Sequence, residues 1–171
     1  VTLGATATLT GTTVTFGATL DADSVVGARA LTINAGGATT FASIVGGSVP
    51  LAAVTTDAAG TTAINGGAFT STSQTFKDSV ILGVNTVLNG ETITFSGTFN
   101  GAAAGGMDLT VNASQGLSFS GAVGGTASLA SLTVGGSGVT TIGGGSIITQ
   151  GTQTFEGAVV LSANTTLTGG A

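Results

Sequence analysis

The chain contains no cysteine, histidine, tryptophan or tyrosine, and its single proline is Pro50. The absence of cysteine excludes a disulfide framework, although it does not exclude export from the cell. Without histidine or cysteine there is no imidazole or thiol that could act as a base, a nucleophile or a soft-metal ligand. These absences count against most hydrolytic and metal-dependent chemistry.

Charge is also scarce. Arg29 and Lys77 are the only cations beside seven acids, which gives a net charge of −5. Charged residues make up 5% of the chain, whereas soluble domains have about 25%. Two separate cations cannot form the basic patch that nucleic acid or an anionic lipid surface requires. Polarity comes from threonine, serine and asparagine, a neutral hydroxyl-rich composition that suits an extracellular protein.

Long hydrophobic runs are absent too. Mean hydropathy is +0.59, but glycine or threonine interrupts every apolar stretch. No run approaches the roughly 20 apolar residues that a membrane-spanning helix needs. The sequence therefore predicts a chain that is not embedded in a membrane.

The chain does contain a long internal repeat. Ser73-Gln74-Thr75-Phe76 returns 79 residues later as Thr152-Gln153-Thr154-Phe155. In the middle of the unit the offset is 78 residues, as between Leu31-Thr32-Ile33-Asn34 and Leu109-Thr110-Val111-Asn112. A long period is typical of an array in which each unit buries its apolar face against the next.

The repeat divides the chain into units 1–79 and 80–158 and a partial unit 159–171. We expect residues 1–171 to form one continuous solenoid. The open end of such a fold exposes unpaired strand edges. We therefore expect the chain to be a fragment of a longer array, or a subunit whose ends are covered by neighbours.

Short stretches within the unit alternate apolar and polar residues. Thr13-Val14-Thr15-Phe16 directs Val14 and Phe16 to one side and two threonines to the other. The 31 glycines make a helix costly, at up to about 1 kcal/mol for each interior glycine. The pattern predicts short half-buried strands bounded by glycine, alanine and asparagine.

Three series of apolar residues, with members about 20 residues apart, predict a right-handed parallel β-helix with three strands per turn. Four turns would make one unit, and about eight and a half turns would span roughly 40 Å. Two tandem β-sandwiches are the alternative, but the short period within the unit and the lack of tryptophan and tyrosine favour the β-helix. The first series is Phe16, Ile33, Val54, Phe76, Phe95, Val111, Leu132 and Phe155; the second is Leu20, Phe41, Ile64, Leu82, Phe99, Phe119, Ile142 and Leu161; the third is Val26, Val45, Phe69, Leu88, Val123, Ile147 and Leu167.

Segments such as 151–161 (Gly-Thr-Gln-Thr-Phe-Glu-Gly-Ala-Val-Val-Leu) and 109–113 (Leu-Thr-Val-Asn-Ala) carry a family resemblance. The organisation resembles the shafts of filamentous-haemagglutinin-like and autotransporter adhesins and, more loosely, giant repetitive bacterial surface proteins. The resemblance covers the whole chain at the level of pattern. It implies a right-handed β-helix without catalytic residues.

The carboxylates are the only candidates for an acid–base or calcium site. Asp21 and Asp23 have the spacing that places two side chains on one face of a strand, but their equivalents one unit later are Asn100 and Ala102. Because the seven acids are dispersed along the chain, they cannot bring together at one point the six to eight oxygens that calcium prefers. We therefore assign no catalytic, cofactor-binding or metal-binding residue and expect solvated turn positions. The ionisable candidates are Asp21, Asp23, Asp57, Asp78, Glu91, Asp108, Glu156, Arg29 and Lys77.

Stacked Thr-x-Thr pairs on a flat β-face could bind ice. Thr13-Val14-Thr15 and Thr92-Ile93-Thr94 fit this pattern, whereas Thr32-Ile33-Asn34 and Gln74-Thr75-Phe76 do not. We therefore expect that the pair does not stack from turn to turn, and that outward threonine is the ordinary covering of a β-surface.

Together these features predict a non-enzymatic structural segment of an extracellular bacterial fibre or adhesin shaft, acting as a stiff spacer or assembling into a filament. A surface-layer or sheath lattice subunit is the alternative, and a carbohydrate-binding or ice-binding β-helix is a weaker one. The expected partners are neighbouring repeats, copies of the same chain, or surface glycans. We expect no cofactor and no nucleic acid.

Overall fold

The computed structural model describes residues 1–170, and within that range the chain forms nineteen strands and no helix. Every strand pair is parallel. The strands are β1 (Thr2–Leu3), β2 (Ala7–Gly11), β3 (Val14–Phe16), β4 (Asp21–Ala22), β5 (Ala30–Ala35), β6 (Ala38–Phe41), β7 (Leu51–Thr56), β8 (Thr61–Ile64), β9 (Ala68–Phe76), β10 (Ser79–Leu82), β11 (Thr86–Phe95), β12 (Phe99–Gly101), β13 (Asp108–Phe119), β14 (Ser131–Gly135), β15 (Val139–Ile142), β16 (Ser146–Ile148), β17 (Gln153–Phe155), β18 (Val159–Leu161) and β19 (Thr166–Thr168).

The strands stack as roughly seven turns of a β-solenoid, which confirms the predicted fold class. Face 1 contains β2, β5, β7, β9, β11, β13, β15 and β18. Face 2 contains β3, β6, β8, β10 and β12, then a bridge at Val123, then β16 and β19. Face 3 contains β1, β4, the bridges at Leu20 and Val45, the first parts of β9, β11 and β13, and then β14 and β17.

Alternate side chains of all three faces meet in one continuous core. On face 1, for example, Leu31, Val54, Ile93 and Leu117 are almost completely buried. The buried apolar residues form a single cluster that extends from Phe16 to Ile147. Burial on this scale is the main stabilising contribution to the fold, because each buried aliphatic or phenylalanine side chain contributes about 1.5–3 kcal/mol.

The turns are longer and fewer than the sequence predicts. Among paired residues, the step from Thr62 to Val80 is one of the shortest and the step from Val14 to Thr39 is one of the longest. Seven steps along face 1 lead from Ala7 to Val159, which gives roughly seven turns instead of eight and a half. At about 4.8 Å per turn, the solenoid is about 34 Å long rather than 40 Å. The extra residues lie in corner segments such as 23–29 and 102–107, which the strand pattern does not reveal.

The first predicted column is correct only in its step from Phe76 to Phe95, and its other steps are wrong. Phe16 does not stack with Ile33, Val54 and Phe76; it pairs with Phe41, and the two ring centroids are 5.3 Å apart. The error arises because corners differ in length, so residues at equal spacing do not fall on the same face.

The other two predicted columns are partly right. The second series is correct from Phe41 through Ile64 to Leu82 and again, on face 1, from Phe119 through Ile142 to Leu161. The third is correct from Val45 through Phe69 to Leu88 and again, on face 2, from Val123 through Ile147 to Leu167. The first member of the third series, Val26, is 69% exposed on a corner segment.

The long repeat does not return to the same face of the solenoid. One unit contains eleven strand segments, and because three segments make a turn, a unit is three and two-thirds turns rather than the predicted four. Equivalent residues therefore move on by two faces from one unit to the next. The column Ala7, Leu31, Val54 and Gln74 lies on face 1, and its equivalent Thr86, Leu109, Leu132 and Gln153 lies on face 3.

Two equivalent glycines show what the corners require. Gly46 and Gly124 have φ of 66° and 70°, a region that strongly favours glycine. A Cβ atom at Gly46 would also overlap the carbonyl oxygen of Thr70, and one at Gly124 would overlap that of Ile148. Both positions therefore need glycine for conformation and for space.

Candidate functional site

Asp21 holds a loop of the next turn. Its Oδ1 accepts hydrogen bonds from the backbone N–H groups of Ser48 (2.8 Å) and Val49 (3.3 Å). Asn100, its equivalent one unit later, accepts two such bonds from residues 126 and 127 at 3.0 and 3.3 Å. Because an amide oxygen and a carboxylate oxygen both accept hydrogen bonds, loop anchoring explains the residue at both positions.

Asp23 forms an ion pair with Arg29. Arg29 donates a hydrogen bond of 2.6 Å to Asp23 Oδ2, and the Val25 N–H donates one to Oδ1. The hydrogen bond from Arg29, with a smaller contribution from Val25, lowers the pKa of Asp23. The equivalents of Asp23 and Arg29 in the second unit are Ala102 and Met107. The pair therefore belongs to one loop of the first unit.

The side chains of Asp21 and Asp23 do not face a common site. Asp21 faces the loop at Ser48, whereas Asp23 faces Arg29. Within residues 1–170 there is no group of three or more carboxylate, histidine or cysteine side chains that could hold a metal ion. These carboxylates have structural partners instead of a shared site.

Asp78 is a buried carboxylate at the corner between β9 and β10, with 3% of its surface exposed. Its Oδ1 accepts hydrogen bonds from Thr56 Oγ1 (2.7 Å) and Thr62 Oγ1 (3.0 Å), and Thr62 Oγ1 also lies 2.8 Å from Oδ2. Burial raises the pKa of Asp78; the two threonine hydrogen bonds act in the opposite direction, and nearby Asp57 contributes to the rise. The sequence predicts a solvated turn position here, and that prediction is wrong.

The remaining candidate residues are dispersed. Among residues 1–170 the Asp23–Arg29 contact is the only ion pair, so neither Lys77 nor any other acid has an oppositely charged partner. The hydrogen-bonded carboxylates are Asp57 with the Ala35 N–H (3.1 Å), Glu91 with Gln115 Nε2 (2.7 Å), and Asp108 with Ser131 Oγ (2.6 Å) and Asn85 Nδ2 (3.1 Å).

Two equivalent glutamines connect neighbouring turns from inside the fold, and the sequence reasoning did not anticipate them. Both lie in the repeated Gln-Thr-Phe motif, and each occupies a position in a column that otherwise carries aliphatic residues and one threonine. An amide at an inward position of a repeated motif was the available signal. Gln74 Nε2 donates to the carbonyl oxygens of Phe69 and Asn89, and Gln153 Nε2 donates to those of Ile147 and Thr168.

Face 1 displays a rank of hydroxyl groups on its first seven strands, from β2 to β15, which ends at Val160 in β18. The paired Thr-x-Thr motif does not recur from turn to turn, as expected, but a single rank does. The sequence reasoning missed this rank because it compared positions that lie on different faces. The rank comprises Thr8, Thr32, Thr55, Thr75, Thr94, Ser118 and Thr141, and the neighbouring column comprises Ala30, Ala53, Ser73, Thr92, Gly116 and Val139.

The described part of the chain has a shallow surface depression and no exposed aromatic platform. The depression, of about 330 Å³, lies on face 1 above Gly116 and is lined by Thr92, Thr94, Ser118 and Val139. Seven of the eight phenylalanines are buried and Phe155 is partly buried. The described surface therefore has no aromatic-lined groove of the kind that would favour glycan binding.

No protein-family model, no curated protein and no solved structure matches this sequence. Among residues 1–170 there is also no helix long and apolar enough to cross a membrane. The fold and the local chemistry are therefore the basis for any functional proposal.

Proposed function

We propose that the chain is a non-enzymatic structural segment, a stiff spacer in an extracellular bacterial fibre or adhesin shaft. The observation that carries this proposal is the single core, which continues through the turns without a division into separate bodies. A close-packed interior resists deformation, because it has few voids and transmits strain. The proposed attachment to a cell surface rests on the resemblance to adhesin shafts.

The side-chain chemistry supports a structural role. Asp21, Asn100 and the two bridging glutamines bind backbone groups of adjacent turns. Catalytic sites, in contrast, bring groups with shifted pKa values together in a cleft. Here the two carboxyl groups with shifted pKa values have separate partners, one on a corner segment and the other inside the core.

Immunogold electron microscopy on cells of the source organism tests the location and role together. Antibody raised against the 171-residue chain is applied to intact cells, and permeabilised cells serve as the control. The proposal predicts gold along thin projections from intact cells. Labelling that appears only after permeabilisation would contradict it.

The hydroxyl rank on face 1 supports a second candidate function, ice binding. Neither the rank nor its neighbouring column contains a charged side chain, and the strands beneath hold a regular spacing of about 4.8 Å. It ranks second because alanine, glycine and valine interrupt the neighbouring column. Assays of ice shaping and of ice-recrystallisation inhibition test this function on the purified chain, with Thr75→Lys as the matched variant. Activity that is lost in the variant supports ice binding. No activity in the parent chain excludes it.

A further inference from the structure

The chain contains three Asn-Gly dipeptides, and the structure restrains two of them. Asn89 lies within β11, where its Oδ1 accepts a hydrogen bond of 2.9 Å from Asn112 Nδ2. Asn100 uses its Oδ1 to hold residues 126 and 127, and the following Gly101 N–H donates to Ala127 O at 3.1 Å. In both dipeptides the amide side chain is held by hydrogen bonds.

The third dipeptide, Asn65-Gly66, is different. It lies in the corner between β8 and β9, and the Asn65 side chain is exposed. Among the described residues, neither that side chain nor the Gly66 N–H has a hydrogen-bond partner. An unpaired N–H group directly after an asparagine whose side-chain amide makes no hydrogen bond is the arrangement in which a backbone nitrogen can attack that amide.

We propose that Asn65 is a site of spontaneous deamidation. The Gly66 nitrogen attacks Asn65 Cγ, the Cγ–Nδ2 bond breaks, and ammonia leaves with the proton from the Gly66 nitrogen. This forms a five-membered succinimide ring. Water then opens the ring at either carbonyl and gives aspartate or isoaspartate. Glycine at the next position favours ring closure, because it has no side chain to obstruct the attack and permits a wide range of backbone angles.

Each product changes the corner in a defined way. Aspartate adds one negative charge at an exposed position of a chain whose net charge is already −5. Isoaspartate also lengthens the backbone by one methylene group. Gly66 packs closely against the backbone of Ser43 and Ile44 in the preceding turn, so a longer corner cannot keep that contact. We therefore expect the isoaspartate form to unfold at lower denaturant concentration than the aspartate form.

Tryptic peptide mapping tests the proposal with the two restrained dipeptides as internal controls. Cleavage after Arg29 and Lys77 places Asn65 in peptide 30–77 and both Asn89 and Asn100 in peptide 78–171. The folded chain is incubated at mildly alkaline pH, digested and analysed by mass spectrometry. A parallel sample in denaturant shows how all three dipeptides react without the fold.

In the folded chain, we expect peptide 30–77 to show the mass increase that accompanies conversion of an amide to a carboxylic acid. The same increase should be much slower in peptide 78–171. The variant Asn65→Gln should lose the gain in peptide 30–77, because glutamine cannot form the five-membered ring; this distinguishes Asn65 from Asn34 in the same peptide. No gain in that peptide, an equal rate in both peptides, or a gain that survives in the variant would overturn the proposal.

Discussion

Phenylalanine rings contact one another inside the solenoid. Phe76, Phe95 and Phe119 lie one above another on face 1, with ring centroids 5.3 Å apart at both steps and interplanar angles of 6° and 10°. Phe99 meets Phe95 edge-on at 4.8 Å. Offset-stacked and edge-on pairs of this kind contribute about 0.5–1.5 kcal/mol beyond the burial of their surface. The rings therefore connect three successive turns.

Removal of one ring from this stack should be costly. Phe119 is 1% exposed, so Phe119→Ala leaves a cavity that the neighbouring rings cannot fill, and we expect a loss of about 3–5 kcal/mol in the free energy of unfolding. Thr32→Ser, an outward position on the same face, is the control and should change stability by no more than about 0.5 kcal/mol. Urea denaturation measures both; equal losses would mean that the inward and outward assignments are wrong.

At the scale of elements, Asp78 joins three parts of the fold. Its carboxylate connects the end of β7 and the body of β8, through Thr56 and Thr62, to the corner that precedes β10. The equivalent positions in the second unit are Val134, Thr140 and Gly157. The second unit therefore lacks this carboxylate and its two side-chain hydrogen bonds, so the joint is specific to the first unit.

The pH dependence of stability should reveal this carboxylate. The pKa of Asp78 is raised in the folded chain, so the folded state binds a proton more tightly than the unfolded state does. The contribution of Asp78 to the free energy of unfolding should therefore increase as the pH falls from neutral through the raised pKa. It should level off near the ordinary aspartate pKa of about 3.9. Asp23 has a lowered pKa, so its contribution is lost only below its ordinary value, outside this window.

Urea midpoints of the parent chain and Asp78→Asn, measured between neutral pH and about pH 4, isolate the effect. As the pH falls, we expect the unfolding free energy of the parent chain to rise relative to that of Asp78→Asn, because only the parent can take up the proton. A difference that stays constant over this range would show that Asp78 titrates at its ordinary value.

The same elements show how far sequence reasoning reaches. Alternation in segments such as Thr13-Val14-Thr15-Phe16 and the dispersed glycines were enough to predict parallel strands in a solenoid. The faces could not be predicted, because the corner between faces 3 and 1 occupies residues 23–29 in one turn and disappears in another, where β9 runs straight through it. Inward Gln74 and Asp78 were missed because a polar side chain inside the fold breaks the alternation on which the prediction depended.

In the whole molecule, equivalent residues of successive repeat units lie on different faces of the solenoid. Because a unit is eleven strand segments, equivalent surface positions in the two units point in different directions. The loop held by Asp21 lies on face 3, and its equivalent held by Asn100 begins on face 2. A surface feature of the unit is therefore presented on successive sides of the shaft instead of along one side.

The fold as a whole should not depend on a metal ion. Its carboxylates are dispersed, and within residues 1–170 no three of them meet. We expect the thermal melting temperature to be the same with and without a chelator. A fall of many degrees after chelation would instead identify a metal site, with Asp21 and Asp23 as the first residues to replace.

Every face assignment depends on the register of the turns, and disulfide cross-linking can report that register because the chain has no cysteine of its own. Thr94 and Ser118 are outward partners on adjacent strands of face 1, and a strand spacing of about 4.8 Å lies within the range a disulfide can bridge. The predicted first column, which sets Val111 after Phe95, would instead place Thr94 beside Thr110; the structure assigns Thr110 to face 3, where it pairs with Thr133. Under mild oxidation, the double variant Thr94→Cys/Ser118→Cys should form an intramolecular cross-link and Thr94→Cys/Thr110→Cys should not; cross-linking of the second pair without the first would contradict the account.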